Sequence, residues 1–140
     1  MKMMWFIYAL IAMVSFTVMI LSFNKIGLLG MSSETTIMYY SIFAALLVFV
    51  YVISTKIPLS MTKYMLIFLI IAVVFGTIGN IFLLKSMQIS PNPGYPVAIA
   101  GLQILLITVA SVFLFKSEIT LVKGIGILFA LIGIVLLGWK

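Results

Sequence analysis

Long apolar runs without charge dominate this sequence and restrict the folds open to it. A helix of about 17 to 25 apolar residues crosses the hydrocarbon core of a bilayer, and charged or helix-breaking residues separate five such stretches. We predict membrane spans over residues 3–23, 36–53, 63–84, 96–115 and 119–138. Hydrophobic residues make up 66% of the 140 residues and charged residues 7%, so a water-soluble core would be too small to bury them. The sequence therefore predicts an all-α, multi-pass integral membrane protein.

The ionisable residues leave little chemistry for an enzyme. All eight basic residues are Lys, the two acidic residues are Glu34 and Glu118, and Arg, Asp, His and Cys are absent. Without imidazole, thiol or clustered carboxylates we predict no catalytic residue, no metal site and no cofactor. The net charge of +6 comes from lysines scattered at segment ends, so we predict no nucleic-acid partner. Such lysines are typical of positions that flank a membrane span.

The lysines also bear on orientation, because basic residues are enriched in cytoplasmic loops. Five spans place the two termini on opposite sides of the membrane. With the N-terminus inside, the internal lysines are Lys2, Lys56, Lys63, Lys116 and Lys123, and the external ones are Lys25, Lys85 and Lys140. This bias is small. It is compatible with insertion in either orientation and with pairing of two inverted copies.

Two helix starts carry capping signals. Ser33 is predicted to be the N-cap of the second helix, with Glu34 near the positive end of the helix dipole. Ser117 and Glu118 are predicted to play the same parts at the start of the fifth helix. Because both glutamates lie outside the apolar runs, we interpret them as capping and topology residues rather than proton carriers.

The segment "QISPNPGYPVAI", residues 88–99, holds three of the four prolines of the chain. Each residue before a proline is biased away from helical geometry, so Ser90, Asn92 and Tyr95 are predicted to be extended. Pro96 is predicted to be the first residue of the fourth helix, where its missing N–H needs no partner. The sequence therefore predicts that residues 90–95 are not regular helix.

Two interpretations of this break remain open. It forms an external hairpin, with Asn92 and Gly94 as turn residues, or it lines a polar cavity at membrane depth, where broken backbone needs protein or water around it. Asn80 and Gln103, within the third and fourth spans, are likewise either contacts between helices or part of a solute path. Further polar side chains nearby are Thr77, Thr108 and Ser111.

The C-terminal part of the chain resembles a known family. Residues 90–140, "SPNPGYPVAIAGLQILLITVASVFLFKSEITLVKGIGILFALIGIVLLGWK", resemble the second part of an EamA-type repeat of the drug/metabolite transporter superfamily. The likeness lies in the proline-rich entry to the fourth helix, the "FLFKSEIT" turn and the Gly-rich closing helix "GIGILFALIGIVLLG". Asn24 and Lys25 ("NK") and the stretch "GNIFLLKSM" (79–87) fit the same pattern more weakly.

The resemblance implies a five-helix unit that is one half of a ten-helix fold, with residues 1–140 as a single domain. Full-length members carry two such units in inverted orientation around a central cavity and work by alternating access. A single unit would need a partner, either a second copy in a homodimer, parallel or inverted, or a related five-helix chain. The related small multidrug resistance proteins carry a glutamate in their first helix. Residues 3–23 contain none, which argues against proton-coupled export of cationic drugs.

We therefore predict a transporter subunit of the cell membrane that moves a small metabolite or drug-like solute by alternating access, with membrane lipid and the solute as further partners. Asn80, Asn92, Tyr95 and Gln103 are the predicted substrate-binding residues. The alternative is a non-transporting membrane subunit for assembly or lipid handling. It predicts that the third and fourth spans pack closely without a continuous cavity.

Overall fold

The computed structural model describes residues 4–116 and 120–138, which form helices joined by short turns. The six helices are α1 (Met4–Leu28), α2 (Ser33–Ser54), α3 (Lys63–Ile89), α4 (Gly94–Ala100), α5 (Gln103–Phe115) and α6 (Leu121–Gly138). By length and composition, α1, α2, α3 and the combined stretch of α4 and α5 can each cross a membrane, and α6 adds a shorter apolar helix. The predicted all-α membrane fold with five apolar segments is confirmed.

Helices α1 and α3 continue past the lysines that mark the ends of their predicted spans. The predictions end at residues 23 and 84, whereas α1 ends at Leu28 and α3 at Ile89. A lysine marks the approximate depth at which the bilayer becomes polar. Lysine is itself a good helix former, so the helix can continue beyond that depth. Lys25 and Lys85 are therefore helical residues, and charge alone gives the end of a span rather than the end of a helix.

The cap of α2 lies one residue earlier than predicted. Ser32 has extended backbone geometry, and its hydroxyl accepts a hydrogen bond from the Thr35 backbone N–H at 3.2 Å. The prediction of Ser33 as the N-cap is therefore wrong. Ser33 is the first residue of α2 and is buried, with 1% of its surface exposed, and its hydroxyl donates to Gln88 of α3. The predicted cap at Ser117 and Glu118 lies outside the described residues.

The chain divides into two compact units, Met1–Gln88 and Ile89–Lys140. The predicted assignment of residues 1–140 to a single domain is not tested by this division and stays a prediction. In the first unit the three helices pack at one end, where Phe23, Ile37 and Leu84 form a buried apolar cluster. Towards the other end the helices separate, and every residue from 63 to 79 is exposed. Hydrocarbon solvates such apolar faces, so this arrangement is compatible with a bilayer.

In the second unit, α4 begins at Gly94 rather than at Pro96. The prediction of Pro96 as the first helical residue, and of an extended Tyr95, is therefore wrong. Pro96 is the third residue of α4, within the first turn, where backbone N–H groups have no helical partner and a proline removes no hydrogen bond. The restriction that Pro96 places on Tyr95 is a bias rather than a prohibition, and the helix overcomes it. Ser90 and Asn92 lie in bends, as predicted for residues outside regular helix.

The predicted fourth span is interrupted between α4 and α5. Leu102, Ile104 and Leu105 each donate a backbone hydrogen bond to the carbonyl three residues earlier, at 3.0–3.1 Å. This is the tighter 3₁₀ pattern, which follows the four-residue bond from Gly101 to Val97. A Cβ atom at Gly101 would lie 2.9 Å from the Ala98 carbonyl oxygen. A glycine is therefore required where the helix tightens.

Candidate functional site

An open groove between α2 and α3 contains the predicted site residue Asn80. We name it the α2–α3 groove, and its volume is about 350 Å³. Its lining residues are Ile37, Tyr40, Ser41, Ala44, Ala72, Val73, Gly76, Thr77 and Asn80. Small residues make the space, since a Cβ atom added at Gly76 would meet no atom within 4 Å. The groove thus combines small apolar walls with several uncharged polar side chains.

The Asn80 amide is only partly paired. Its Nδ2 donates to the Gly76 carbonyl oxygen at 2.8 Å, one turn earlier on α3. Over the described residues 4–116 and 120–138, no hydrogen bond reaches the other side of the amide, Oδ1. The side chain is half-buried in the groove. An amide oxygen at membrane depth needs a donor, so Oδ1 can accept a bond from water or a solute.

Two hydroxyl groups of the α2–α3 groove likewise lack a hydrogen-bond partner among the described residues. Several other helical hydroxyls donate to the carbonyl four residues earlier; those of Ser15 and Ser22 do so at 2.9 and 2.8 Å. The hydroxyls of Ser41 and Thr77 make no hydrogen bond to any part of the chain that the structure describes. Both are therefore available as donors and acceptors beside Asn80.

A second cavity, which we name the aromatic cavity, lies between α1 and α2 and has a volume of about 470 Å³. Its lining residues are Phe23, Ile26, Met31, Thr36, Tyr39, Tyr40 and Phe43. Its exposed wall is apolar throughout. The rings of Phe23 and Tyr40 meet edge to face, with centroids 5.2 Å apart, and those of Tyr39 and Phe43 are stacked at 6.5 Å. Tyr40 lines both this cavity and the α2–α3 groove.

The packed end of the first unit is joined by polar contacts that the sequence did not predict. Gln88 accepts a hydrogen bond from the Ser33 hydroxyl at 3.1 Å and donates to the Met31 carbonyl at 3.3 Å. We name these three residues the Gln88 clasp. Lys85 forms an ion pair with Glu34 beside it. The partners are more than fifty residues apart in sequence, so spacing gives no signal for either contact.

The four predicted site residues lie in different parts of the fold. Asn80 belongs to the first unit, whereas Asn92, Tyr95 and Gln103 belong to the second. The side-chain oxygen of Asn92 accepts from the Gly94 N–H at 2.9 Å, and its carbonyl accepts from the Tyr95 N–H at 3.1 Å. Asn92 and Tyr95 are therefore brought together at the start of α4. Gln103 is exposed at the start of α5, next to the 3₁₀ turn.

Sequence reasoning identified Asn80 and noted Thr77, but it missed Ser41 and Tyr40 as part of the same groove. The available signal was their spacing, because Ile37, Ser41 and Ala44 recur at intervals that place them on one face of α2. Which neighbour that face meets is not encoded in the spacing. Only the three-dimensional arrangement brings it opposite Asn80.

The comparisons with known proteins agree with the geometry of a membrane protein. A protein-family model described as the EamA-like transporter family matches residues 3–139. No curated protein and no solved structure matches the chain. The resemblance inferred from the sequence is thereby confirmed, and the match points to a transporter rather than an enzyme. The chain therefore belongs to the EamA-like transporter family and is an integral membrane transporter of the drug/metabolite type.

Proposed function

We propose that the chain is a transporter subunit that moves a small metabolite or drug-like solute by alternating access, and that the α2–α3 groove forms part of the solute path. One observation carries the proposal. The Ser41 hydroxyl, the Thr77 hydroxyl and the Asn80 Oδ1 all lack partners among the described residues and line one groove. Since each unpaired polar group in hydrocarbon costs several kcal/mol, a groove that held only lipid chains would be unfavourable.

The proposal includes a second subunit and a location in the cell membrane. The partner is a second copy of the chain, in parallel or inverted arrangement, or a related five-helix chain. The exposure of α3 supports this, because within the first unit neither α1 nor α2 covers its residues 63–79. Two facing subunits would enclose the groove and give it two alternative openings, one on each side of the membrane. The cell membrane is where such a subunit would exchange solutes with the surroundings.

Transport in membrane vesicles tests the proposal. Vesicles from cells that produce the chain are given a panel of radiolabelled amino acids, sugars and nucleosides, and uptake is compared with vesicles from cells that lack it. For any solute that accumulates, Asn80→Leu is expected to reduce uptake at least about tenfold, the effect of losing roughly 1.4 kcal/mol of binding. Asn24→Leu is the matched control, since Asn24 lies on α1 and lines neither cavity.

The variants also test the other predicted residues. Gln103→Leu is expected to reduce uptake as well, and unchanged uptake would remove Gln103 from the solute path. Equal uptake by Asn80→Leu and Asn24→Leu would remove the α2–α3 groove from the proposal. No uptake of any solute by a correctly assembled wild-type protein would favour the alternative function, a non-transporting subunit for assembly or lipid handling.

A further inference from the structure

We propose that the α2–α3 groove and the aromatic cavity together bind one amphipathic solute with an uncharged, hydrogen-bonding head. The head occupies the groove beside Asn80, and the apolar body occupies the aromatic cavity. This inference rests on the proposed function, because the bound molecule is the cargo, and it defines the chemical class of that cargo.

The two cavities adjoin at Tyr40. Successive residues of an α-helix are rotated by about 100°. On α2, Ile37 and Ser41 face the groove, whereas Tyr39 and Phe43 face the aromatic cavity. Tyr40 lies between these two faces and lines both spaces. A molecule that extends past the Tyr40 ring can therefore contact both.

The groove fits a head that both donates and accepts hydrogen bonds. The hydroxyls of Ser41 and Thr77 can donate or accept, and the free Oδ1 of Asn80 accepts. An amide or a polyol offers groups of both kinds and can satisfy all three. A purely apolar head that displaced water from the groove would leave them unpaired, which is unfavourable.

The same lining residues disfavour a charged head. None of the nine residues of the groove and none of the seven of the aromatic cavity is Asp, Glu, Lys, Arg or His. The ionised side chains Glu34 and Lys85 pair with each other instead. A charge that enters an apolar site without a counter-charge loses its hydration and gains little in return. A phospholipid, whose head carries charge, is a poor match for the same reason.

The volumes also suit a small solute. The groove and the aromatic cavity measure about 350 and 470 Å³, and each lies in the usual range of about 300–1,000 Å³ for small-molecule sites. The aromatic cavity offers four rings, from Phe23, Tyr39, Tyr40 and Phe43, for contact with an apolar body.

Photo-crosslinking of the full chain in lipid nanodiscs tests the inference. Three probes share one alkyl chain with a terminal diazirine and differ only in the head, which is a primary amide, an ammonium or a carboxylate. We expect the amide probe to label peptides that contain Phe23 or Phe43, at a concentration at least about tenfold lower than the charged probes need. Equal labelling by all three probes, or labelling confined to other parts of the chain, would overturn the inference.

Two variants report on the head group. Asn80→Leu is expected to raise the amide-probe concentration for half-maximal labelling about tenfold, and Asn24→Leu is expected to leave it unchanged. If Asn80→Leu does not fold, the double variant Ser41→Ala, Thr77→Val removes the other two polar partners and is expected to have the same effect. If a correctly folded Asn80→Leu protein or the double variant needs no more amide probe for half-maximal labelling than the wild type, the assignment of the head to the groove is contradicted.

The outcomes separate this inference from the proposed function. If Asn80→Leu reduces vesicle uptake but all three probes label equally, the proposed transport stands and the proposed solute class is wrong. Selective labelling by the amide probe without uptake of any solute retains the binding site and overturns transport.

Discussion

Gln88 connects three elements of the first unit through a single side chain. Its amide bonds to Ser33 on α2 and to Met31 in the turn that follows α1. Gly27 on α1 leaves the necessary space, because a Cβ atom there would lie 2.8 Å from Gln88 Nε2. The clasp therefore depends on a glycine and an amide more than fifty residues apart.

Removing the amide is expected to destabilise the packed end. Gln88→Leu leaves the buried Ser33 hydroxyl without its acceptor, which lowers the free energy of unfolding by about 1–3 kcal/mol. Unfolding in mixed micelles of increasing SDS content measures the change. Gln103→Leu serves as the control, since Gln103 is an exposed glutamine at the start of α5.

A double-mutant cycle tests whether the contact between Ser33 and Gln88 contributes to stability. If Ser33 and Gln88 interact, the variant with Ser33→Ala and Gln88→Leu loses less stability than the two single changes added together, by at least about 0.5 kcal/mol. Additive losses would show that the contact between the two side chains contributes nothing to stability.

At the scale of elements, the interruption between α4 and α5 is centred on Gly101. Gly101 faces Ile134 of α6, whose Cδ1 would lie 3.6 Å from an added Cβ, an ordinary contact distance. The tighter approach is to the Ala98 carbonyl oxygen, at 2.9 Å. The 3₁₀ geometry therefore leaves no room for a side chain at residue 101.

This geometry reverses the usual effect of replacing glycine in a helix. Alanine is ordinarily better than glycine by about 1 kcal/mol, and Gly126→Ala on α6 is expected to show that gain or no change, because its added Cβ meets no atom within 4 Å. Gly101→Ala is expected instead to lower the free energy of unfolding by about 1 kcal/mol, since the backbone must shift. The same SDS titration measures both variants. A stabilised Gly101→Ala protein would show that the 3₁₀ turn relaxes to α-helix without loss.

The elements were predictable from sequence where the bilayer determines them. The length of an apolar run fixes a span, and this gave an all-helical chain with five apolar segments. The one-residue error at Ser33 has a different origin. Either serine can cap a helix, and in the structure Ser32 does so while the Ser33 hydroxyl donates to Gln88. The 3₁₀ turn at Gly101 contains no proline to announce it. It was missed because a single glycine within an apolar run is equally compatible with a continuous helix.

The candidate site was predictable in part. Asn80 stood out because an amide within an apolar run needs a partner, and the structure places it in a groove. Ser41 and Tyr40 gave no comparable signal, since serine is common in membrane helices and tyrosine at span ends is typical of the interface. The Gln88 clasp depends on contacts over long sequence separation, which neither periodicity nor composition encodes.

At the scale of the whole molecule, the Gln88 clasp shows which ends of the first three helices lie on the same side of the membrane. The turn after α1 and the C-terminal end of α3 lie together, so they face the same compartment. The loop between α2 and α3 faces the other one. Leu29, Leu59 and Ile89 are exposed at these three places, and the chain has no native cysteine to interfere.

Single-cysteine variants at these positions test orientation and pairing. The variants are treated with a membrane-impermeant maleimide on intact cells. If all copies have one orientation, Leu29→Cys and Ile89→Cys are expected to be both labelled or both unlabelled, and Leu59→Cys is expected to behave in the opposite way. An inverted homodimer is expected to give about half-labelling at all three positions. Opposite labelling of Leu29→Cys and Ile89→Cys would contradict the packing of the first unit.

The helices of the first unit pack together at one end and are largely exposed along the rest of their length. A small rotation about the packed end therefore becomes a large displacement at the other end. The 27 residues of α3 span about 40 Å. A rotation of about 10° about the packed end would carry the distant tip through about 7 Å, wide enough for a small molecule to pass.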